Sequence, residues 1–182
     1  MAKHVMLDLE TYGTKPGCII LSIGAVTFDI DGLYEEFYEV LDLKSSKAWG
    51  FKEEFSTVKW WSKQSLEARK AVFESGGDVL PDRGIKDFSS WVEKVNGKSL
   101  WANGADFDIP ILQAYYEEMG VVWPFHFVND RCFRTLRTMC PIQQIEENLC
   151  EHNALEDAKW QARYAVKCLE WLRWVQSFPR IL

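Results

Sequence analysis

The sequence contains no pair of cysteines in CxxC spacing, and its five cysteines, Cys18, Cys132, Cys140, Cys150 and Cys168, are an odd number. A disulfide framework and a structural zinc site are therefore not expected, and a reducing cytosol fits. No run of about 18 apolar residues occurs, so no membrane span is expected. The opening residues Met1 to Asp8 place a carboxylate where a signal peptide carries its apolar stretch. There is no internal repeat, no low-complexity tract and no linker. An excess of cations is missing too: 21 Lys and Arg stand against 27 Asp and Glu, a formal net charge of −6. A protein that lives by sequence-independent phosphate binding is usually basic. The acidity argues against a general nucleic-acid binder. It does not argue against an enzyme whose carboxylates hold cations and meet phosphates through them.

What is present is an ordinary globular composition, 47% hydrophobic and 26% charged, which excludes a disordered or collagen-like chain. A length of 182 residues corresponds to one domain, 1–182, with a single core. Nine tryptophans are many for this length. Exposed ones stack on bases or on partners.

Three apolar runs open the chain: Val5 to Glu10, Cys18 to Phe28 and Leu33 to Leu43. A loop with two glycines and a proline separates the first two, and Asp29-Ile30-Asp31-Gly32 carries an Asp-Gly hairpin signal before the third. This predicts an antiparallel meander. Thereafter the pattern changes. Helices are expected over Thr57–Ser75, closed by Gly76-Gly77, over Arg83–Val95, Asp108–Met119, Arg131–Met139 and Ala154–Ser177. Short strands are expected at Ser99–Ala102 and Phe125–Val128. A meander followed by alternating helices and strands indicates an α/β fold with a mixed five-stranded sheet.

Three clusters carry candidate chemistry. The first is Asp8-Leu9-Glu10. Residues two apart in a strand share a face, so both carboxylates project together, as chelation of Mg²⁺ or Mn²⁺ requires. Alone the pair says little, because with 27 acids in 182 residues chance supplies about four such triplets. Its context sharpens it: Val5-Met6-Leu7 reads as a buried central strand, where unpaired carboxylates are costly. The second cluster is Trp101 to Pro110, with Asp106 and Asp108 as competing acids. Asp108, just before Ile109-Pro110, also suits a plain helix N-cap. The third is Glu151 to Asp157. Asn153 with Glu156 forms a capping-box pattern, which sets His152 at N′ against Asp157 at N4, where a hydrophobic staple would be apolar. A simple His–Asp hydrogen bond at a helix start is the alternative. Together the clusters place four carboxylates and a histidine at strand ends and helix starts, where catalytic groups of α/β sheets collect.

Asp8-Leu9-Glu10-Thr11, Asn103 to Asp108 and His152 to Asp157 resemble the three motifs of the DEDDh superfamily of 3′→5′ exonucleases. The third matches its His-x-Ala-x-x-Asp spacing, and the Phe-Asp pair of the second matches Phe107-Asp108, so Asp108 rather than Asp106 carries over. Thr57-Val58-Lys59-Trp60-Trp61 and Arg134-Thr135-Leu136 are similar to a bacterial and phage subgroup named exodeoxyribonuclease VIII-like and exoribonuclease-like. The resemblance implies a ribonuclease H-like fold and a metal-dependent exonuclease acting on single-stranded DNA or RNA 3′ ends. It implies two metal ions, Mg²⁺ or Mn²⁺, about 4 Å apart. In that scheme Asp8 bridges both, Glu10 and Asp157 complete the first site, and Asp108 supports the second. His152 is the general base, since a neutral imidazole takes the proton of the attacking water, so activity falls in acid. Leu9, Thr11, Asn103 and Phe107 are implied to meet the terminal nucleotide, an apolar side chain wedging against a base. A catalytically silent nucleic-acid or protein binding module is the contrasting reading, which the complete set of carboxylates and histidine disfavours.

The tryptophans remain divided at this stage. Trp60-Trp61 either stack on bases or pack a helix against the sheet. Trp160, Tyr164, Trp171 and Trp174 lie near one helical stripe, which is either core or a homodimer face. The basic residues from Lys59 to Lys70 read as a solvated face.

Overall fold

The computed structural model describes residues 3–73, 77–142 and 152–177. Strand β1 (Lys3–Thr11) is the centre of a five-stranded sheet, flanked by β2 (Ile20–Asp29), β3 (Gly32–Val40), β4 (Gly97–Ala102) and β5 (Asp130–Cys132) in the order β3-β2-β1-β4-β5. The first three strands form the expected antiparallel meander, while β4 pairs parallel with β1 and β5 parallel with β4. Val5, Met6 and Leu7 are fully buried, as a strand covered on both faces requires.

Helices α1 (Leu43–Ala48), α2 (Phe55–Trp61), α3 (Leu66–Phe73), α4 (Pro81–Val95), α5 (Asp108–Glu118), α6 (Phe133–Met139) and α7 (Ala154–Gln176) cover the sheet. One face packs a core that includes Val5, Leu7, Ile23, Phe88, Leu112 and Tyr115. The other holds Met6, Val26, Phe28 and Phe133 under α7. Ala154, Ala158, Ala162 and Ala165 are each fully buried on α7. Small side chains at i, i+4, i+8 and i+11 bring that helix axis close to the strands.

Most element ends move by a residue or two from the sequence expectation, and four differences alter the elements themselves. The helix over Thr57–Ser75 is two, α2 and α3, because Ser62 closes the first and the Ser65 hydroxyl accepts from Ala68 N–H to open the second; its end at 74–76 lies outside the described residues. The fifth strand is Asp130–Cys132, not Phe125–Val128, where Phe127–Asn129 form a 3₁₀ turn. Arg131 therefore belongs to β5, and α6 begins at Phe133. Leu43 starts the short helix α1, capped by the Asp42 carboxylate on Ser45 N–H, and does not end β3.

Candidate metal centre and active site

Asp8 and Glu10 share one face of β1 near its C-terminal end. Across the sheet, Asp8 stands in register with Gly24 of β2. A Cβ on Gly24 would lie 2.1 Å from the carbonyl carbon of Ala154 and 2.2 Å from the nitrogen of Leu155. Only a glycine lets the first turn of α7 rest on the sheet here. That contact delivers the third cluster to the first.

The start of α7 carries the Asn153 half of the expected capping box, while the Glu156 carboxylate pairs with Lys159. Asn153 Oδ1 accepts from the N–H groups of Leu155 and Glu156, both at 3.1 Å. Glu156 turns to Lys159 at 3.0 Å. The N′–N4 contact is present, with His152 N–H donating to Asp157 Oδ2 at 2.9 Å. His152 holds φ at +66°, a left-handed backbone that costs a non-glycine residue energy and concentrates at functional sites. Its ring lies 4.8 Å from that of Trp60 and 6.1 Å from that of Trp61, both edge to face. The imidazole thus sits among two indoles and the carboxylates. Glu151 lies outside the described residues.

Asp108 is not an N-cap. It is the first residue of α5, Phe107 occupies the cap, and no side chain caps the helix. Its carboxylate turns inward and accepts from Leu9 N–H at 3.1 Å. Asp108 is 4% exposed, whereas Asp106 is exposed. The second cluster therefore meets β1 through Asp108.

Burial and mutual repulsion dominate the electrostatics. Burial pushes the Asp8 carboxyl well above the usual carboxylate range, and Asp108, Glu10 and Asp157 push it further. Gln161 Nε2 opposes this, donating to Asp8 Oδ1 at 2.7 Å. Glu10 is pushed up to about 8 by burial, then by Asp157 and Asp108. Asp108 is pushed up to about 7 by burial, against the Leu9 N–H and the Arg134 charge, with Asp106 adding to the rise. Such crowding of like charges is unfavourable unless cations neutralise it.

The donor set fits divalent cations. Glu10, His152 and Asp157 each present one ligand atom, and these atoms lie within 4.8 Å of one another. Carboxylate oxygens suit hard ions such as Mg²⁺ and Mn²⁺. Gln161 Oε1 is buried and accepts no hydrogen bond among the described residues, an unpaired polar atom next to the carboxylates.

Beside them opens a cavity of about 410 Å³ lined by Leu9, Thr11, Thr57, Trp60, Trp61 and Phe107, among others. Leu9 is 5% exposed. Thr11 Oγ1 donates to Gly13 O at 2.7 Å, and the carbonyl of Thr11 accepts from Trp61 Nε1 at 2.9 Å. The tryptophan pair divides its roles: Trp61 is 2% exposed and ties α2 to β1, whereas Trp60 is 42% exposed at the cavity. Asn103 does not line that cavity; its carbonyl accepts from Arg134 Nη2 at 2.7 Å. On α7, Tyr164 is buried, Trp160 and Trp171 pack against the core, and Trp174 is exposed. The sequence reading missed Gln161, which stands one helical turn after Asp157 on the same face. It also gave Arg134 no place at the site.

The sequence pattern of the 3′-5′ exoribonuclease Rv2179c-like domain matches residues 3–169. The chain belongs to this exonuclease family. By membership it is a nuclease. It is 32% identical over 204 residues to the exodeoxyribonuclease of Enterobacteria phage T4, covering 88% of this chain and 89% of that one. Its fold is similar to that of cell-death related nuclease 4, with a TM-score of 0.57 at 11% identity over 96% of this chain. The chain spans 64% of the length of that nuclease.

Proposed function

We propose that this exonuclease is of the DEDDh type: a metal-dependent 3′→5′ exonuclease that hydrolyses phosphodiester bonds at single-stranded ends. The observation that carries this reading is the convergence of Asp8, Glu10, Asp108 and Asp157, from three separate stretches of sequence, beside the imidazole of His152. Asp8, Glu10, Asp108 and Asp157 would hold two ions, Mg²⁺ or Mn²⁺. When bound, such ions supply the positive charge that activates water and stabilises the leaving oxygen. His152 takes the proton of the attacking water. The His152 backbone N–H on Asp157 fixes where the imidazole is presented. Trp60 and Phe107 offer faces to the terminal base, with Leu9 and Thr11 at the floor of a cavity of nucleotide size.

The names of the relatives point to different polymers, an exoribonuclease domain in one case and an exodeoxyribonuclease in the other. Both polymers therefore belong in the test. End-labelled single-stranded DNA and RNA of equal sequence are incubated with Mg²⁺, Mn²⁺ or EDTA. Stepwise shortening from the 3′ end, abolished by EDTA, is expected. Full activity in excess EDTA contradicts the reading. A cytoplasmic location is part of the same proposal, supported by cysteines that are free wherever they are described.

A further inference from the structure

The carboxylate centre accounts for the reacting end of a strand. The rest of that strand needs a path, and the surface beside the centre carries four cations, Arg134, Arg137, Arg163 and Lys167, that make no salt bridge among the described residues, although the charge of Arg134 also acts on Asp108. Arg134 begins the path. Its Nη2 donates to Asn103 O, and its guanidinium carbon lies 2.9 Å from where a Cβ on Gly104 would stand. Gly104, at φ +108°, is favoured by its left-handed backbone. One turn along α6, the Arg137 guanidinium stands 5.5 Å from the centre of the Trp160 ring and 5.6 Å from that of Tyr164. Trp160 then lines a second cavity, of about 380 Å³, together with Arg163 and Lys167. Glu170 is the one carboxylate among the described residues of that lining.

The arrangement is unusual for this molecule. The chain is acidic overall, at −6. Elsewhere on α7, Lys159 is paired with both Glu36 at 3.2 Å and Glu156 at 3.0 Å. Arg163 and Lys167 stand four residues apart with no such partner among the described residues, and like charges at that spacing weaken a helix. Their cost is offset if anions arrive from outside.

We propose that the path from Arg134 over Trp160 to Arg163 and Lys167 holds the body of a single-stranded nucleic acid whose 3′ end lies at the carboxylates. The proposal rests on the nuclease reading above. Guanidinium forks match phosphate oxygens, and an aromatic face among cations is how single strands are held without regard to sequence. From Asp157 to Lys167 the helix rises roughly 15 Å, enough for several successive phosphates. Strands long enough to reach Lys167 should bind more tightly than a dinucleotide, which occupies the terminal cavity alone.

The test compares the wild type with the double variant Arg163→Glu/Lys167→Glu. Binding of fluorescein-labelled twelve-nucleotide oligothymidylate and oligouridylate is followed by anisotropy over a range of salt, with Ca²⁺ in place of Mg²⁺. Circular dichroism confirms the fold. In the variant Kd should rise about tenfold or more. The slope of log affinity on log salt should become shallower by about 1.4, or 0.7 for each of two lost phosphate contacts. In Mg²⁺, the ratio of kcat/KM for the twelve-mer to that for a dinucleotide should fall by a similar factor. A folded variant with wild-type Kd, slope and ratio overturns the path while leaving the nuclease reading standing. A wild type that neither binds nor shortens either polymer overturns the nuclease reading, and the path with it.

Discussion

Gln161 Nε2 donates a hydrogen bond to Asp8 Oδ1 at 2.7 Å, joining residues 153 positions apart in the chain. Asp8 belongs to the central strand and Gln161 to the last helix. Gln161 is 3% exposed and Asp8 is partly buried. An amide donor here fixes one carboxylate oxygen and favours its charged form against burial and the repulsion of Asp108, Glu10 and Asp157. On the proposed reading it leaves the other oxygen of Asp8 for a cation. Such outer partners orient metal ligands and are worth roughly 10–100-fold in metal affinity.

Gln161→Leu, which keeps the volume and removes the donor, should therefore weaken Mn²⁺ binding by about 10–100-fold. Titration of the apo protein followed by electron paramagnetic resonance measures this directly. Equal Mn²⁺ affinity in the variant and wild type would mean that the contact only packs the helix.

Asp8→Asn should abolish turnover by several orders of magnitude while raising the stability of the metal-free protein. The substitution keeps an acceptor for Gln161 and deletes a charge opposed by three neighbours. Relief of about 1 kcal/mol would raise Tm by about 2–4 °C in a chain of this size. Thermal unfolding in EDTA gives the answer. A clear fall in Tm would identify Asp8 as a structural carboxylate.

The raised carboxyls set a pH dependence for the apo protein. Glu10 ordinarily titrates near 4.5 and stands at about 8 in the fold. Asp108 ordinarily titrates near 3.8 and stands at about 7. The folded chain thus binds more protons than the unfolded chain between these limits, and stability is lost as pH rises through them. In EDTA, Tm should fall from pH 5 to pH 8. Excess Mg²⁺ should restore it most at pH 8, because the ion binds the charged forms. A Tm that rises over this interval in EDTA would refute the repulsive site.

The sequence makes some of this site visible and conceals the rest, for physical reasons. Alternation in a strand is local, so Asp8 and Glu10 could be placed on one face. Capping chemistry is local too, and Asn153, His152 and Asp157 stand in the positions their spacing dictates. Asp108 was open to a capping role because its inward turn depends on Leu9, 99 residues away. β5 is only three residues long, and its pairing with β4 joins Leu100 to Asp130. A strand defined by a distant partner leaves little local pattern, and the apolar Phe125 to Val128 drew the expectation upstream. Gln161 is reached only once Gly24 of β2 is known to seat the start of α7 on the sheet.

The two acids of the second cluster should separate cleanly. Asp106→Ala removes an exposed carboxylate and should retain most activity. Asp108→Asn replaces a buried group held by Leu9 N–H and should lose most of it. Initial rates on a labelled single strand in Mg²⁺ decide the ranking, and the opposite order would place the second motif on Asp106.

The central claim is that a carboxylate metal centre works with His152 as its base, and His152→Ala tests it most directly. Turnover on a labelled single strand and Mn²⁺ affinity are measured on the same preparation. A positioned general base contributes roughly 10²–10⁴-fold. The account predicts a fall in turnover of that size with Mn²⁺ still bound at near wild-type affinity. Near wild-type turnover would make His152 a structural histidine held by Trp60 and Trp61, and loss of Mn²⁺ binding would make it a metal ligand; either result contradicts the account.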